Sequence, residues 1–359
     1  MPLDWLSERS EPPASDAPNC WLISIPVMRI LQVSSAAALG GGETHVLELT
    51  QALRRRGAQV VVAGRRGSPL QPDVHLPFLN SADVYSALRL RRVLKDGRFD
   101  IVHGHVARDY TLLAAAAWGL PVKLVFTRHL LYGVRAHALY RRVDGWIAPT
   151  SQILGTLEPL RPRLSAVIPN WVDLKKFPFK PHPMRRPVHL GLLGQVSPHK
   201  GHDDALEALR ILGAGYRLLI AGKGDDRYVA ALRRRAQDLP VEFLGFAVLP
   251  EFFDMVDILL VPSWEEPFGI VLLEAMASGV PVVATAAGGP VDIVRPDVDG
   301  VLIPPRNPQA LAGGVLVLAN EDCRNRMAEQ ARRRVESEFD IEKVAPRVEA
   351  FYECVLQRG

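Results

Sequence analysis

Cysteine is scarce. The 359 residues hold three, Cys20, Cys323 and Cys354, far apart and forming no Cys-x-x-Cys pair. Neither a disulfide framework nor a zinc site follows from them, and a reducing cytoplasm is the compartment that such usage fits. No uninterrupted apolar run reaches the roughly 18 residues that would suggest a membrane span. The opening "MPLDWLSERSEPPASDAPNC" carries Asp4, Glu8 and Glu11 where an export signal would carry basic residues, so export is not indicated. Residues 1–27 are read as a disordered leader rich in Pro and Ser, or as a misassigned start ahead of Met28, because "MRILQVSS" itself reads as a first strand. Extremes of composition are lacking too. With 48% hydrophobic and 23% charged residues the chain falls in the globular class and outside the disordered one.

At 359 residues the chain exceeds the size at which single cores stop growing, which indicates two domains. The net charge of +4 conceals an asymmetry: residues 1–170 hold 20 Lys and Arg against 13 Asp and Glu, and the remainder 23 against 26. Arginine clusters at 54–56, 89–92 and 141–142 suit anionic lipid or a phosphorylated acceptor, and equally suit solvated helix faces.

From Met28 onward short β-branched runs alternate with amphipathic helical ones. "ETHVLELTQALRRRG" places Val46, Leu49 and Leu53 on one helix face, with Gly57 as the stop. Such alternation implies parallel pairing with right-handed crossovers, an α/β fold with doubly wound sheets. Residues 28–170 form one such unit. "NWVDLKKFPFKPHPMRRP" then carries four prolines at 178–187, which marks residues 171–187 as a linker. The alternation restarts over 188–340, and 341–359 read as a long final helix. The pattern assigns no element between Pro305 and Asp340.

Ligands of open α/β sheets bind at the carboxyl ends of the strands, which sorts the polar loops. Gly40, Gly41 and Gly42 lie between a strand and a helix and match neither GxGxxG nor the P-loop pattern. They suit an anion at a helix end, or a structural turn alone. Lys200 stands just before Gly201 at a helix start, fit for a diphosphate or simply exposed at the surface. His103 and His105 end one strand on the same face, and His129 ends a neighbour. With no carboxylate or cysteine at ligand spacing they read as hydrogen-bonding groups of a cleft, or as buried structural histidines, ahead of a metal site. In "PSWEEPFGIVLLEAMASGVPVVAT", Glu266 precedes a Pro-Phe-Gly break and Glu274 falls about a turn and a half into the following helix. Both carboxylates are expected to reach one cavity, with the amides of Phe268, Gly269 and Ile270 between them.

Together these motifs resemble the retaining glycosyltransferases of family 4, over nearly all of residues 28–355. The E-x7-E signature, Glu266 through Glu274, is the specific element. "GGGETHVLELTQALRRRG", "FDIVHGH", "VIPNWVDLKKF", "GQVSPHKG" and "DGVLIPP" support it. The resemblance implies the GT-B fold, two facing Rossmann-like domains, with the final helix packed back on the first. It implies a hexosyl transfer from a UDP- or GDP-linked sugar to a glycan or lipid-linked acceptor, in envelope polysaccharide or lipopolysaccharide synthesis. Catalytic roles fall to His129, Lys200 and Glu266. Donor contacts fall to Gly41, Gln195, Lys200, Glu266, Phe268, Gly269, Ile270, Val271 and Glu274, where Glu266 takes sugar hydroxyls and Glu274 the ribose. His103 and His105 are acceptor-side candidates. No cofactor, divalent metal or nucleic acid is implied, and the expected location is cytoplasmic, with peripheral contact to an anionic membrane.

Two positions depart from the family pattern. Gln195 stands where an arginine is usual, which shifts leaving-group stabilisation toward Lys200. Charged hydrogen bonds contribute roughly 1.5–3 kcal/mol against about 1 for neutral ones. Trp171 replaces a common glycine in the interdomain segment. A nucleotide-sugar epimerase and a catalytically weak nucleotide-sugar-binding subunit are the competing readings.

Overall fold

A computed structural model describes residues 27–36, 41–80, 83–181 and 183–358. The leader, save Val27, and Gly40 lie outside the described residues. The first unit runs β1 (Arg29–Ser34), α1 (Gly41–Arg55), β2 (Gln59–Gly64), β3 (Val74–His75), α2 (Val84–Gly97), β4 (Ile101–Gly104), α3 (Tyr110–Ala116), β5 (Lys123–Thr127), β6 (Gly145–Ala148), α4 (Ser151–Gly155) and β7 (Ser165–Val167). These strands pair in the order β3-β2-β1-β4-β5-β6-β7. The second unit runs β8 (Val188–Leu193), α5 (His202–Leu212), β9 (Tyr216–Ala221), α6 (Asp226–Arg235), β10 (Val241–Gly245), α7 (Glu251–Asp254), β11 (Ile258–Val261), α8 (Ile270–Ser278), β12 (Val282–Thr285), α9 (Pro290–Ile293), β13 (Val301–Ile303), α10 (Pro308–Ala319), α11 (Glu321–Arg334) and α12 (Ile341–Gln357). Its order is β10-β9-β8-β11-β12-β13. All pairings in both sheets are parallel.

Each sheet reverses its winding beside its first strand, between β1 and β4 and between β8 and β11. Such switch points open a crevice at the carboxyl ends of the strands. Here the loops leaving β1, β4 and β5 in the first unit, and β8 and β11 in the second, supply the side chains considered below. β1 is buried from Ile30 to Ser34, as a parallel strand covered on both faces must be.

α10 and α11 fill the stretch to which periodicity assigned nothing. "PQALAGGVLVLA" is apolar nearly all round and shows no polar stripe, while α11 is arginine-rich and hides its buried face, Met327, Ala328 and Ala331, among charges.

The proline-rich connection is not loose. Trp171, Val172 and Phe177 are buried, and Val172 pairs with the chain's return crossing: its N–H donates to Phe339 O at 2.9 Å, and Ile341 N–H donates to Val172 O at 3.2 Å. Past that crossing α12 lays Val344, Val348, Phe351, Tyr352 and Val355 on the first sheet, in one core with Ile30, Leu49, Leu53, Ile101 and Val125.

Candidate active site

Two loops meet at the switch point of the second sheet. Lys200 ends a short 3-10 turn after β8, and Gly201 follows at φ +73°. A Cβ there would lie 2.0 Å from Pro262 O, so only glycine lets this turn press against the exit of β11. Lys200 Nζ donates to Glu266 Oε2 at 2.6 Å, and Ser263 Oγ donates to the same oxygen at 3.1 Å. Glu266 is 8% exposed, so this ion pair is largely withdrawn from water. Its backbone is fixed from the other side, with Gly289 N–H donating to Glu266 O at 2.8 Å. Gly288, at φ +84°, leaves room where a Cβ would sit 2.1 Å from that carbonyl.

Pro267 and Gly269 then turn the chain into α8. Gly269 adopts the left-handed conformation at the N-cap and no side chain caps the helix, so amides of its first turn remain available to an anion. Phe268 is buried, while Ile270 and Val271 begin the helix half-buried. A cavity of about 270 Å³ lies beside this turn between the two units, lined by Leu131, Tyr132, Gln152, Trp264, Glu265 and Gly288 among others.

Glu274 has different company. Burial first, and then the charge of Glu48, push its carboxyl up to about 7, while Lys176 opposes the shift. Glu48 belongs to α1 and accepts from Lys176 Nζ at 2.5 Å and from Trp171 Nε1 at 3.1 Å. The second glutamate of the signature thus senses charges of the first unit and of the connecting segment. Ser263, Glu48 and Lys176 had no signal in the sequence, since their bearing on the glutamates exists only through tertiary contact.

Gln195 is exposed after β8, and its neighbour Val196 pairs with the loop that follows β9, residues 222–225, through an N–H to Lys223 O bond of 2.8 Å. Gly41 and Gly42 form the first residues of α1, so the glycine run continues into the helix it precedes.

The histidines separate into two kinds. His103 spends both ring nitrogens internally, on Tyr352 Oη at 2.6 Å and Thr127 Oγ1 at 2.7 Å, tying α12 to β4 and β5. Both of its ring nitrogens are thereby engaged within the fold, as in the buried structural reading of this histidine. His105 uses Nε2 on Gln32 Oε1 at 2.6 Å and keeps Nδ1 without a partner among the described residues. His129 Nε2 and His45 Nδ1 are in the same condition. Burial, helped by Arg128, lowers His129 to about 4, and burial, helped by His129, lowers His105 to about 3; both rings are neutral at pH 7. His45, on α1, stacks on Trp171 at 3.7 Å between ring centroids, so the tryptophan found in place of glycine closes one wall of this cluster.

Two family models match in succession: "Glycosyltransferase Family 4" over residues 39–176 and "Glycosyl transferases group 1" over residues 175–334. A glycogen synthase of Mycobacterium tuberculosis is 30% identical, covering 92% of this chain and 96% of that protein. A D-inositol 3-phosphate glycosyltransferase of Xylanimonas cellulosilytica is 29% identical over 89% of this chain and 93% of its own. Among solved structures, Anabaena Alr3699/HepE in complex with UDP and glucose superposes with a TM-score of 0.79 at 20% identity, over 91% of this chain and all of that one.

Proposed function

The chain belongs to the group 1, family 4 glycosyltransferases, and from that premise we propose that it moves a hexosyl unit, with retention and without a divalent metal, from a UDP- or GDP-linked sugar to a hydroxyl of a glycan or lipid-linked acceptor. The observation that carries this is the Lys200–Glu266 pair held beside the uncapped start of α8. One ammonium and a row of free amides suit a diphosphate, and a carboxylate beside them suits sugar hydroxyls.

In the reaction the bond between the anomeric carbon and the diphosphate oxygen breaks while the acceptor oxygen bonds to that carbon from the same face. The acceptor's proton passes to the departing phosphate oxygen. Lys200 and the amides of Phe268 to Val271 take the charge that develops there, the place a cation would otherwise hold. Glu266 fixes sugar hydroxyls and Glu274 the ribose, with His129 beside the transferring unit, so the carboxylates position the donor instead of acting as an acid/base pair. Lys200→Ala and Glu274→Gln are each expected to lose most turnover while keeping a native circular dichroism spectrum. Wild-type transfer by both variants with a matched donor and acceptor would refute the assignment. A thermal-shift screen of UDP, GDP, ADP and dTDP sugars identifies the donor, since selective binding to the folded state raises the melting temperature.

Envelope polysaccharide or lipopolysaccharide assembly at the inner membrane face is the setting this reading includes. None of the described helices is long and apolar enough to cross a membrane. The outer side of α2 nevertheless exposes Val84, Tyr85 and Leu88, with Leu79 and Trp118 exposed in adjoining loops and Arg89, Arg92 and Lys95 exposed along the same helix. Apolar anchors with a basic rim suit an anionic lipid surface. Binding to vesicles containing phosphatidylglycerol is expected to fall steeply with added salt and with Leu88→Asp. Salt-independent binding, or none, would remove the membrane part.

A further inference from the structure

We propose that His45, His105 and His129 form a binding site for a divalent transition-metal cation of the zinc class, separate from the diphosphate-binding loop. The three rings come from three elements, α1 and the exits of β4 and β5. Each offers one ring nitrogen, and these nitrogens lie within 4.8 Å of one another. His45 Nδ1, His105 Nδ1 and His129 Nε2 are buried and lack a hydrogen-bond partner among the described residues. Three such atoms in one cluster are costly without a partner.

The tautomer of one ring decides what kind of occupant fits. Gln32 Oε1 can only accept, so a neutral His105 donates from Nε2 and keeps a lone pair at Nδ1, the nitrogen without a partner among the described residues. A ligating histidine is commonly oriented in this way, its other nitrogen donating to a carbonyl oxygen. Gln32 is itself held, its Nε2 donating to Tyr352 Oη at 3.3 Å. A donor hydroxyl offers one proton and satisfies a single lone pair, whereas a cation satisfies three. An all-imidazole set suits zinc, cobalt, nickel or copper and is poor for magnesium or calcium, which take oxygen.

Bonds of roughly 2.1 Å place tetrahedral nitrogens about 3.4 Å apart. The rings must therefore close on the ion, around His105 as the anchored member, leaving the fourth position to water. The consequence for catalysis rests on the proposed transferase function: a metal that occupies His129 withdraws it from the transferring sugar, and transfer is inhibited.

Equilibrium dialysis of the chelator-treated protein against zinc chloride, followed by metal analysis, tests the site directly. Wild type is expected to retain one equivalent, and cobalt is expected to give the visible absorption of a four-coordinate ion. His45→Ala and His105→Ala should weaken retention at least about tenfold, Gln32→Leu about 10- to 100-fold, and the exposed His137→Ala not at all. Native circular dichroism qualifies each variant, and the wild-type result stands without them. Retention below half an equivalent by wild type, or equal retention by the His45 and His105 variants, overturns the site. Zinc retained without loss of transfer overturns the inhibition. Absence of transfer from every donor refutes the transferase function, while dialysis and the cobalt spectrum still decide the site.

Discussion

Glu274 is the residue at which fold and chemistry pull in opposite directions. Its carboxyl sits at about 7 in the folded protein against an ordinary 4.5, through burial and the charge of Glu48. A value raised by folding means that the folded chain holds a proton which the unfolded chain has released between those two values. The stability this confers is full below about 4.5 and is lost as pH rises through about 7. Glu274→Gln is therefore expected to be more stable than wild type to denaturant at pH 8, by on the order of 3 kcal/mol, a margin that vanishes toward pH 4.5. For function the sign reverses. A carboxylate that accepts ribose hydroxyls must be ionised, so calorimetry should show UDP binding more tightly at pH 8 than at pH 6, with the dependence flattened in Glu274→Gln. A flat wild-type profile would sink the ribose role. The spacing of Glu266 and Glu274 was readable from the sequence, as was Lys200. What spacing could not carry was the difference between the two glutamates, because it is set by Ser263 and Lys200 on one side and by Glu48 and Lys176 on the other.

Among the elements, short buried apolar strands were legible at once: β1, β4, β8 and β11 follow from "RILQVS", "IVHG", "VHLGLL" and "ILLV". α8 was bounded by its two glycines, which adopt the left-handed conformation at both ends. α10 and α11 were not legible, the first because its exposed side, with Leu316 and Val317, is as apolar as its buried one and the second because charge masks its stripe. The 286–289 loop is the subtler omission, since its pairing with Glu266 appears only after β12 is placed beside β11. Gly288→Ala should destabilise the protein by more than about 1 kcal/mol, read by denaturant unfolding, because both its φ of +84° and the Glu266 carbonyl exclude a Cβ. Unchanged unfolding would mean that this loop yields easily and does not fix Glu266.

At the scale of the whole molecule, two sheets were foreseeable from the β/α alternation, and the proline-rich segment marked the change between them. The packing of that segment was not, because proline content reports missing backbone donors and says nothing of the burial of Trp171, Val172 and Phe177. The first unit's core is completed by α12, where Tyr352 meets Gln32 across 320 positions of sequence. Phe351→Ala should cost about 3–5 kcal/mol, measured by chemical denaturation, with the loss read at Trp146 of the first unit by fluorescence. A loss confined to the second unit would contradict the shared core. During synthesis the order of emergence from the ribosome then matters. The second unit's core is complete once Phe339 is out, whereas the first waits with Ile30, Leu49, Ile101 and Val125 uncovered until residues 341–357 arrive. The half made earliest is the half finished last, and for the length of translation it is the natural client of a chaperone.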